Sequence, residues 1–322
     1  MAWRVRKIVR YFIVVLPIVV CLQLGFSLYV DFVSWKCMSS TSRTTSSSPF
    51  CKELGSKQES GNETTTTTTV PPYWKPLKKT LITNRTCAQN YSLLILVSSA
   101  PANLQRRNNI RKTWAFESTF KPRWTTVFLV AQSRIQTESN SLIKEDEVYG
   151  DLVRADYYDH YWNQTLKIQM GFQWATKYCK FSFLLKTDDD VFVNAPGVLS
   201  FLSEPTTLKE QLYVGNHYTN PDVYRGGKWK VTIEEYSESH YPDFCPGFGF
   251  VLSHDVVVTF VKAFAFVPYF RLDDVYVGML ANKTGIKIIH NEGFEVYPPI
   301  MRKCSPHEGT LVRHGTGRLL LN

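Results

Sequence analysis

FSFLLKTDDDVFVN, Phe181 to Asn194, carries a short apolar strand pattern (Phe181 to Leu185) straight into Lys186, Thr187 and three consecutive aspartates, Asp188, Asp189 and Asp190. Neighbouring carboxylates repel one another, and a half-buried cluster is costly unless a cation compensates it. A hard divalent ion, Mn²⁺ or Mg²⁺, is the natural counter-charge, because it takes one or two protein carboxylates and completes its shell with substrate phosphates and water. In an extended backbone Asp188 and Asp190 share one side. The bland alternative is an acidic turn capping a helix that Ala195 and Pro196 can start.

Two earlier runs, Tyr91 to Ser98 (YSLLILVS) and Thr126 to Ala131 (TVFLVA), are nearly continuous in apolar residues, as strands buried on both faces are. Helix-compatible stretches follow the same order, at Asn103 to Phe116 and at Gln164 to Tyr178. The alternation predicts an α/β fold, a mixed and mostly parallel sheet flanked by helices. In such open sheets ligands gather at the carboxyl ends of the strands, which is where the aspartates fall.

With 44% hydrophobic and 20% charged residues, the 322-residue chain is neither fibrous nor disordered throughout. Of its net charge of +9, Arg4, Arg6, Lys7 and Arg10 supply four. The rest is spread without a basic block, which argues against a nucleic-acid partner and is compatible with a small anionic ligand.

Those basic residues precede an uncharged apolar run, Tyr11 to Val30, long enough for a membrane-spanning helix. The charge asymmetry orients it with a cytoplasmic N-terminus. A cleaved signal peptide competes, but the run is long for one and no clear cleavage site follows. The expected organisation is a cytoplasmic tail (1–10), a transmembrane signal anchor (11–30), a Ser/Thr-rich stem (31–86) and a folded luminal domain (87–322). The stem contains Thr64 to Thr69 unbroken, a composition that cannot bury enough apolar surface to fold. Sequons at Asn62, Asn84, Asn90, Asn163 and Asn282 suit a luminal address. So do the cysteines outside the apolar run. Cys87, Cys179, Cys245 and Cys304 are expected to pair within the fold in an order that spacing leaves open, while Cys37 and Cys51 bracket the stem or bridge two chains.

The string Lys186 to Asn194, KTDDDVFVN, resembles the metal-dependent β1,3-glycosyltransferase family that includes the β1,3-galactosyltransferases, type II Golgi membrane enzymes with the GT-A fold. Further blocks in order are similar to that family. They are Ser98-Ser99 with Arg106, Arg107, Ile110, Arg111, Thr113 and Trp114; Asp151, Asp156, Tyr161, Asn163, Thr165, Leu166 and Lys167; Trp229 through Ser253, with Tyr236, Tyr241, Pro242, Cys245, Gly247 and Gly249; and Asp273 to Gly278, DDVYVG. The resemblance spans about Leu93 to His314. It departs from the family at Asp273, where Glu is usual, and towards the C-terminus.

The resemblance implies an inverting transfer of a hexose from a UDP-sugar in β1,3 linkage to a glycan on a glycoprotein or glycolipid. UDP-galactose is the leading donor, and UDP-N-acetylglucosamine or UDP-N-acetylgalactosamine the alternative. It implies that Asp190, with Asp188, binds Mn²⁺ or Mg²⁺, that Asp189 addresses the donor's ribose or sugar, and that Arg107, Arg111 and Lys167 pair with uridine or phosphate. It places the catalytic base at Asp274, whose neighbour Asp273 would raise its pKa. Of the C-terminal histidines His307 and His314, the resemblance favours His314 as the third metal ligand, since it lies at about the family's distance beyond Cys304. Trp229, Tyr236, Tyr241 and Phe244 offer sugar-stacking surfaces, although most aromatics in such a domain fill the core. Homo-oligomerisation stays open. A lectin-like protein of the same fold and, more weakly, a metal-dependent hydrolase are the rival classes.

Overall fold

The structure, a computed structural model, describes residues 81–83, 85–117, 119–296 and 309–315. The expected tail, anchor and nearly all of the stem lie outside the described residues, as do Cys37, Cys51, Cys304 and His307. Among the described residues no helix is long and apolar enough to cross a membrane.

β1 (Asn90–Ser98), β2 (Trp124–Gln132), β3 (Leu152–Tyr158) and β4 (Lys180–Asp188) form the parallel half of a seven-stranded sheet ordered β3-β2-β1-β4-β7-β6-β8. β7 (Gly249–Ser253) runs antiparallel between β4 and β6 (Tyr213–Gly215), and β8 (Ile288–His290) closes that edge parallel to β6. The intervening helices are α1 (Leu104–Thr113), α2 (Gln136–Tyr149), α3 (Gln164–Tyr178), α4 (Ala195–Ser203), α5 (His254–Ala263) and α6 (Asp273–Thr284). This is the mixed, mostly parallel α/β architecture that the apolar runs predict.

Why these runs become central strands is visible in β1. Leu93, Ile95 and Val97 join the apolar layer on one face, with Phe128 and Leu185, while Leu94 and Leu96 join the other, with Leu129, Phe172 and Phe260. Each such side chain contributes roughly 1.5–3 kcal/mol by leaving water. A disulfide from Cys87 to Cys179 ties the segment before β1 to the end of α3, closing a separation of 92 residues. Cys245, expected to pair within the fold, is instead a free, buried thiol.

Three details differ from the sequence reading. β4 does not stop at Leu185 but carries Lys186, Thr187 and Asp188 in register with Leu96, Val97 and Ser98 of β1. The backbone then turns at Asp189 and Asp190 instead of staying extended, and re-enters a strand, β5 (Val191–Val193). The helix beginning at Ala195 does exist, but its cap is Asn194, whose side chain accepts from the Gly197 amide, so the aspartates do not cap it. β5 pairs with β10 (Val312–His314), which in turn pairs with β9 (Phe294–Glu295) in a small three-stranded sheet. That pairing sets His314 opposite Val191, one residue beyond Asp190.

Candidate active site

The carboxyl ends of β1 and β4, the loop before β7 and the N-terminus of α6 meet at one place, and the chemistry-bearing residues separate there into two groups.

The first group is closed. Arg107 on α1 is wholly buried and forks onto Glu145 of α2 through Nε and Nη2, at 2.8 and 2.7 Å. Its Nη1 donates to Ser99 Oγ at 2.9 Å and to the Ala100 carbonyl at 2.6 Å. Arg111, one helical turn on, donates to Glu145 at 2.7 Å and doubly to Asp151 at 2.8 and 2.7 Å, with its guanidinium 3.9 Å from the Tyr149 ring centroid. Burial pushes the Glu145 carboxyl up, but Arg107 and then Arg111 outweigh it and hold it below its ordinary value. Lys167 on α3 is equally enclosed, donating to the Ser99 carbonyl at 2.8 Å and pairing with Asp159 at 2.7 Å. Arg107, Arg111 and Lys167, expected to pair with uridine or phosphate, are held by the protein's own groups in this arrangement. Their donors are spent on carboxylates and carbonyls, and they brace the end of β1.

Asp189 belongs to the same braced layer. It is buried, and accepts from Ser99 Oγ at 2.7 Å, Asn103 Nδ2 at 2.8 Å and Arg106 Nη1 at 2.8 Å. With both oxygens bound by the protein, it pins the turn. Arg106 also lies 3.5 Å from Asp190 Oδ2 and keeps 43% of its side chain in solvent, which makes it the open guanidinium beside the aspartates. Sequence reasoning placed Arg106 in a motif without giving it a role.

The second group has an excess of acid. Lys186 Nζ is buried at the end of β4, 2.8 Å from Asp188 Oδ1 and 3.3 Å from Asp273 Oδ2, and donates also to the Gly247 carbonyl. Burial pulls its pKa down, but Asp188 first and Asp273 next outweigh it and hold the ammonium above its ordinary value. Asp274, beside Asp273 in the first turn of α6, accepts from the Val275 amide at 2.9 Å and the Gly247 amide at 3.3 Å. Desolvation and the adjacent Asp273 push its carboxyl up to about 7, against those amides and Lys186. Asp188 is raised to about 6, mainly by desolvation and then by Asp273 and Asp190, against Lys186. Its side chain keeps 38% of its surface in solvent, so water offsets part of that desolvation. One ammonium thus faces three carboxylates, with Asp190 open on the turn beyond.

Gly278 lets α6 pack where it does. A Cβ there would lie 2.4 Å from the Asp243 carbonyl oxygen and 2.7 Å from Phe244 Cβ, so any side chain would push the helix, and Asp274 with it, off the loop.

Among the described residues no three His, Cys, Asp or Glu side chains are gathered into a metal cluster. The donor chemistry nevertheless suits a hard cation: Asp188 and Asp190 keep 38% and 35% of their side chains open to solvent, an acid excess surrounds them, and β10 sets half-buried His314 beside the turn. A site that supplies few protein ligands fits an ion whose other positions belong to a substrate.

An open cleft of about 1060 Å³ lies elsewhere, lined by Tyr236, Tyr241, Phe270, Met279 and Asn282 among others, and includes none of these aspartates. Of the expected stacking aromatics, Tyr241 and Phe244 are buried, and Trp229 is exposed with its Nε1 donating to Tyr161 Oη at 2.8 Å. Asn163 is buried with Nδ2 donating to the Tyr158 carbonyl, so the folded chain does not present that sequon. Asn90 and Asn282 are exposed, whereas Asn62 and Asn84 lie outside the described residues.

A family model described as Galactosyltransferase matches residues 105–292. Human Beta-1,3-galactosyltransferase 1 is 32% identical over 223 residues, 68% of this chain and 68% of that protein. Beta-1,3-galactosyltransferase brn of Drosophila melanogaster is 32% identical over 230 residues, 70% of each. Beta-1,3-galactosyltransferase 5 of Pan paniscus is 34% identical over 203 residues, 61% of this chain and 66% of that protein.

Proposed function

The chain belongs to the galactosyltransferase family and is a glycosyltransferase, and from that premise we propose that it transfers galactose from UDP-galactose, in β1,3 linkage and with inversion, to a glycan acceptor. The observation that carries the mechanism is the acid-rich pocket at the strand ends, where Asp274, raised to about 7, sits within the reach of one buried ammonium.

Asp274 takes the proton from the acceptor hydroxyl as its oxygen attacks the anomeric carbon from the face opposite the diphosphate. A carboxylate of that basicity is half ionised near neutrality, which suits general-base work. The Gly247 and Val275 amides orient it. Asp190, with Asp188 and His314, would hold the Mn²⁺ or Mg²⁺ ion. When bound there, such an ion would supply positive charge for the departing UDP oxygens. Arg107, Arg111, Lys167 and Asp189 support the site from behind, keeping the ends of β1 and β4 together.

The proposed setting is the Golgi membrane, single-pass with the enzyme domain luminal. The apolar run 11–30, the exposed sequons Asn90 and Asn282, and the Cys87–Cys179 disulfide support it, since disulfides persist in oxidising compartments. The acceptor is a glycan of a glycoprotein or glycolipid, and homo-oligomerisation is a matter for sedimentation.

The test is a donor screen on the full chain with Mn²⁺ or EDTA, a panel of UDP-sugars and mixed acceptor glycosides, reading UDP release. Metal-dependent release from UDP-galactose is expected. Release from an N-acetylhexosamine donor instead would move the proposal to that sugar, and release unaffected by EDTA would remove the metal.

A further inference from the structure

The buried ammonium of Lys186 has no step of its own in the transfer as described so far, although it is the cation around which the acid cluster is built. An ammonium has three N–H bonds. Here they meet three acceptors on segments far apart in sequence: Asp188 on β4, the Gly247 carbonyl in the loop before β7, and Asp273 at the start of α6. Gly247 joins this knot to the base, because the same residue that accepts from Lys186 donates its amide to Asp274. The fit there is close. A Cβ at Gly247 would lie 3.3 Å from Lys186 Nζ and 3.5 Å from Asp273 Oδ2.

We propose that Lys186 is a positioning residue for the transfer: its ammonium ties the donor-side strand end at Asp188 to the Asp273–Asp274 helix start through Gly247, and so holds the base in place. The inference rests on the proposed function and adds to it a link between the two halves of the site. It also explains the strand position. A lysine inside a central strand is expensive to bury, and an equally long apolar side chain would leave Asp188 and Asp273 facing each other with no cation between them.

The experiment compares turnover and its pH dependence for the full chain, Lys186→Met, Lys186→Arg and Asp273→Asn. The groups facing Asp274 are Asp273 on its own helix, Lys186 from β4, Cys245 and the Gly247 amide from the preceding loop, Tyr213 from β6 and Tyr241. Of these, Lys186 is the cation and Asp273 the anion that act on it. Lys186→Met is expected to lower kcat at least about 100-fold and to move the acidic limb of the pH–rate profile up by about one unit, as removal of a neighbouring cation does. Lys186→Arg keeps the charge, so the limb returns close to wild type. The guanidinium is too wide for the slot beside Gly247, so kcat stays at least about tenfold down. Asp273→Asn is expected to move the limb the other way and to lower kcat several-fold, because Lys186 loses one of its three anchors.

Lys186→Met with kcat within about twofold of wild type and an unmoved limb would overturn the inference. Where Lys186→Met does not fold, Asp273→Asn and Lys186→Arg decide: wild-type kcat in both overturns it. An inactive wild type would instead sink the proposed function, and the inference with it, whereas an active wild type indifferent to Lys186 sinks the inference alone.

Discussion

Two charged clusters lie at the same end of the sheet and answer the cost of buried charge in opposite ways. Around Glu145, two guanidiniums meet Glu145 and Asp151 in matched forks, with the remaining donors on Ser99, Asn108 and carbonyl oxygens. Around Lys186, one ammonium serves Asp188, Asp273 and, through Gly247, Asp274. Balance makes the first cluster a brace. Imbalance leaves the second with carboxylates raised to about 6 and about 7 and with room for another cation. Motif residues of either kind look alike in a sequence, so the count of opposite charges within reach separates support from chemistry.

Substitutions can break this contrast from either side. Asp274→Asn removes the base without disturbing shape, and about a 1000-fold loss of kcat is expected. Calorimetry should find UDP affinity within about twofold of wild type, and substantial remaining transfer would move the base elsewhere. The same variant should melt higher. A carboxyl whose folded pKa is raised loses stability as pH rises from about 4 through about 7, so at pH 8 the neutral amide is favoured by several degrees in a thermal scan. An unchanged or lower melting temperature would contradict the raised value.

Glu145→Ala attacks the other cluster and leaves two buried guanidiniums short of their counter-charge. A loss of roughly 3–5 kcal/mol in urea unfolding is expected, since breaking a buried pair strands its partner. A loss below about 1 kcal/mol would mean that water or relaxation replaces Glu145. The pH–rate profile sharpens the comparison at lower amplitude. Turnover should be half-maximal near pH 7 and fall about tenfold per unit below it, because the base works deprotonated. A flat profile between pH 5 and 8 would remove Asp274 from that role. Smallest is Thr165→Val, which deletes the 2.6 Å bond from Thr165 Oγ1 to the Phe270 carbonyl just before α6. About 1 kcal/mol of stability should go, with kcat falling only modestly.

Much of this was legible beforehand, for reasons that differ from residue to residue. β1, β2 and α3 were readable because burial on both faces forces unbroken apolar runs, and α3 begins and ends at the expected residues. α2 was not: its sequence QTESNSLIKEDEVY buries only Leu142 and Glu145, so it has no apolar stripe to read. β5, β9 and β10 have three residues or fewer, too short to show any period. At the site, clustered acid marked Asp188 and Asp190, and the resemblance marked Asp274. Lys186 was passed over as one letter of a motif, although an ammonium directly before three aspartates was its own signal. Arg107, Arg111 and Lys167 were read as ligand-facing because a basic residue in a motif reads that way, while Glu145, the partner of Arg107 and Arg111, and Asp159, the partner of Lys167, lie outside the quoted motifs. Asp189 was read as addressing the donor, and its contacts with Ser99, Asn103 and Arg106 were not legible because those residues come to it from a distant stretch of chain.

The contrast between brace and reactive cluster is put to the test most directly by calorimetry of UDP binding to the full chain, with Mn²⁺ and with EDTA, for wild type, Asp190→Ala and Asp151→Asn. Binding should require Mn²⁺, vanish in Asp190→Ala, and persist within about threefold in folded Asp151→Asn, whose lost carboxylate belongs to the brace. Metal-dependent binding that survives Asp190→Ala but disappears with Asp151→Asn would invert the assignment of the two clusters.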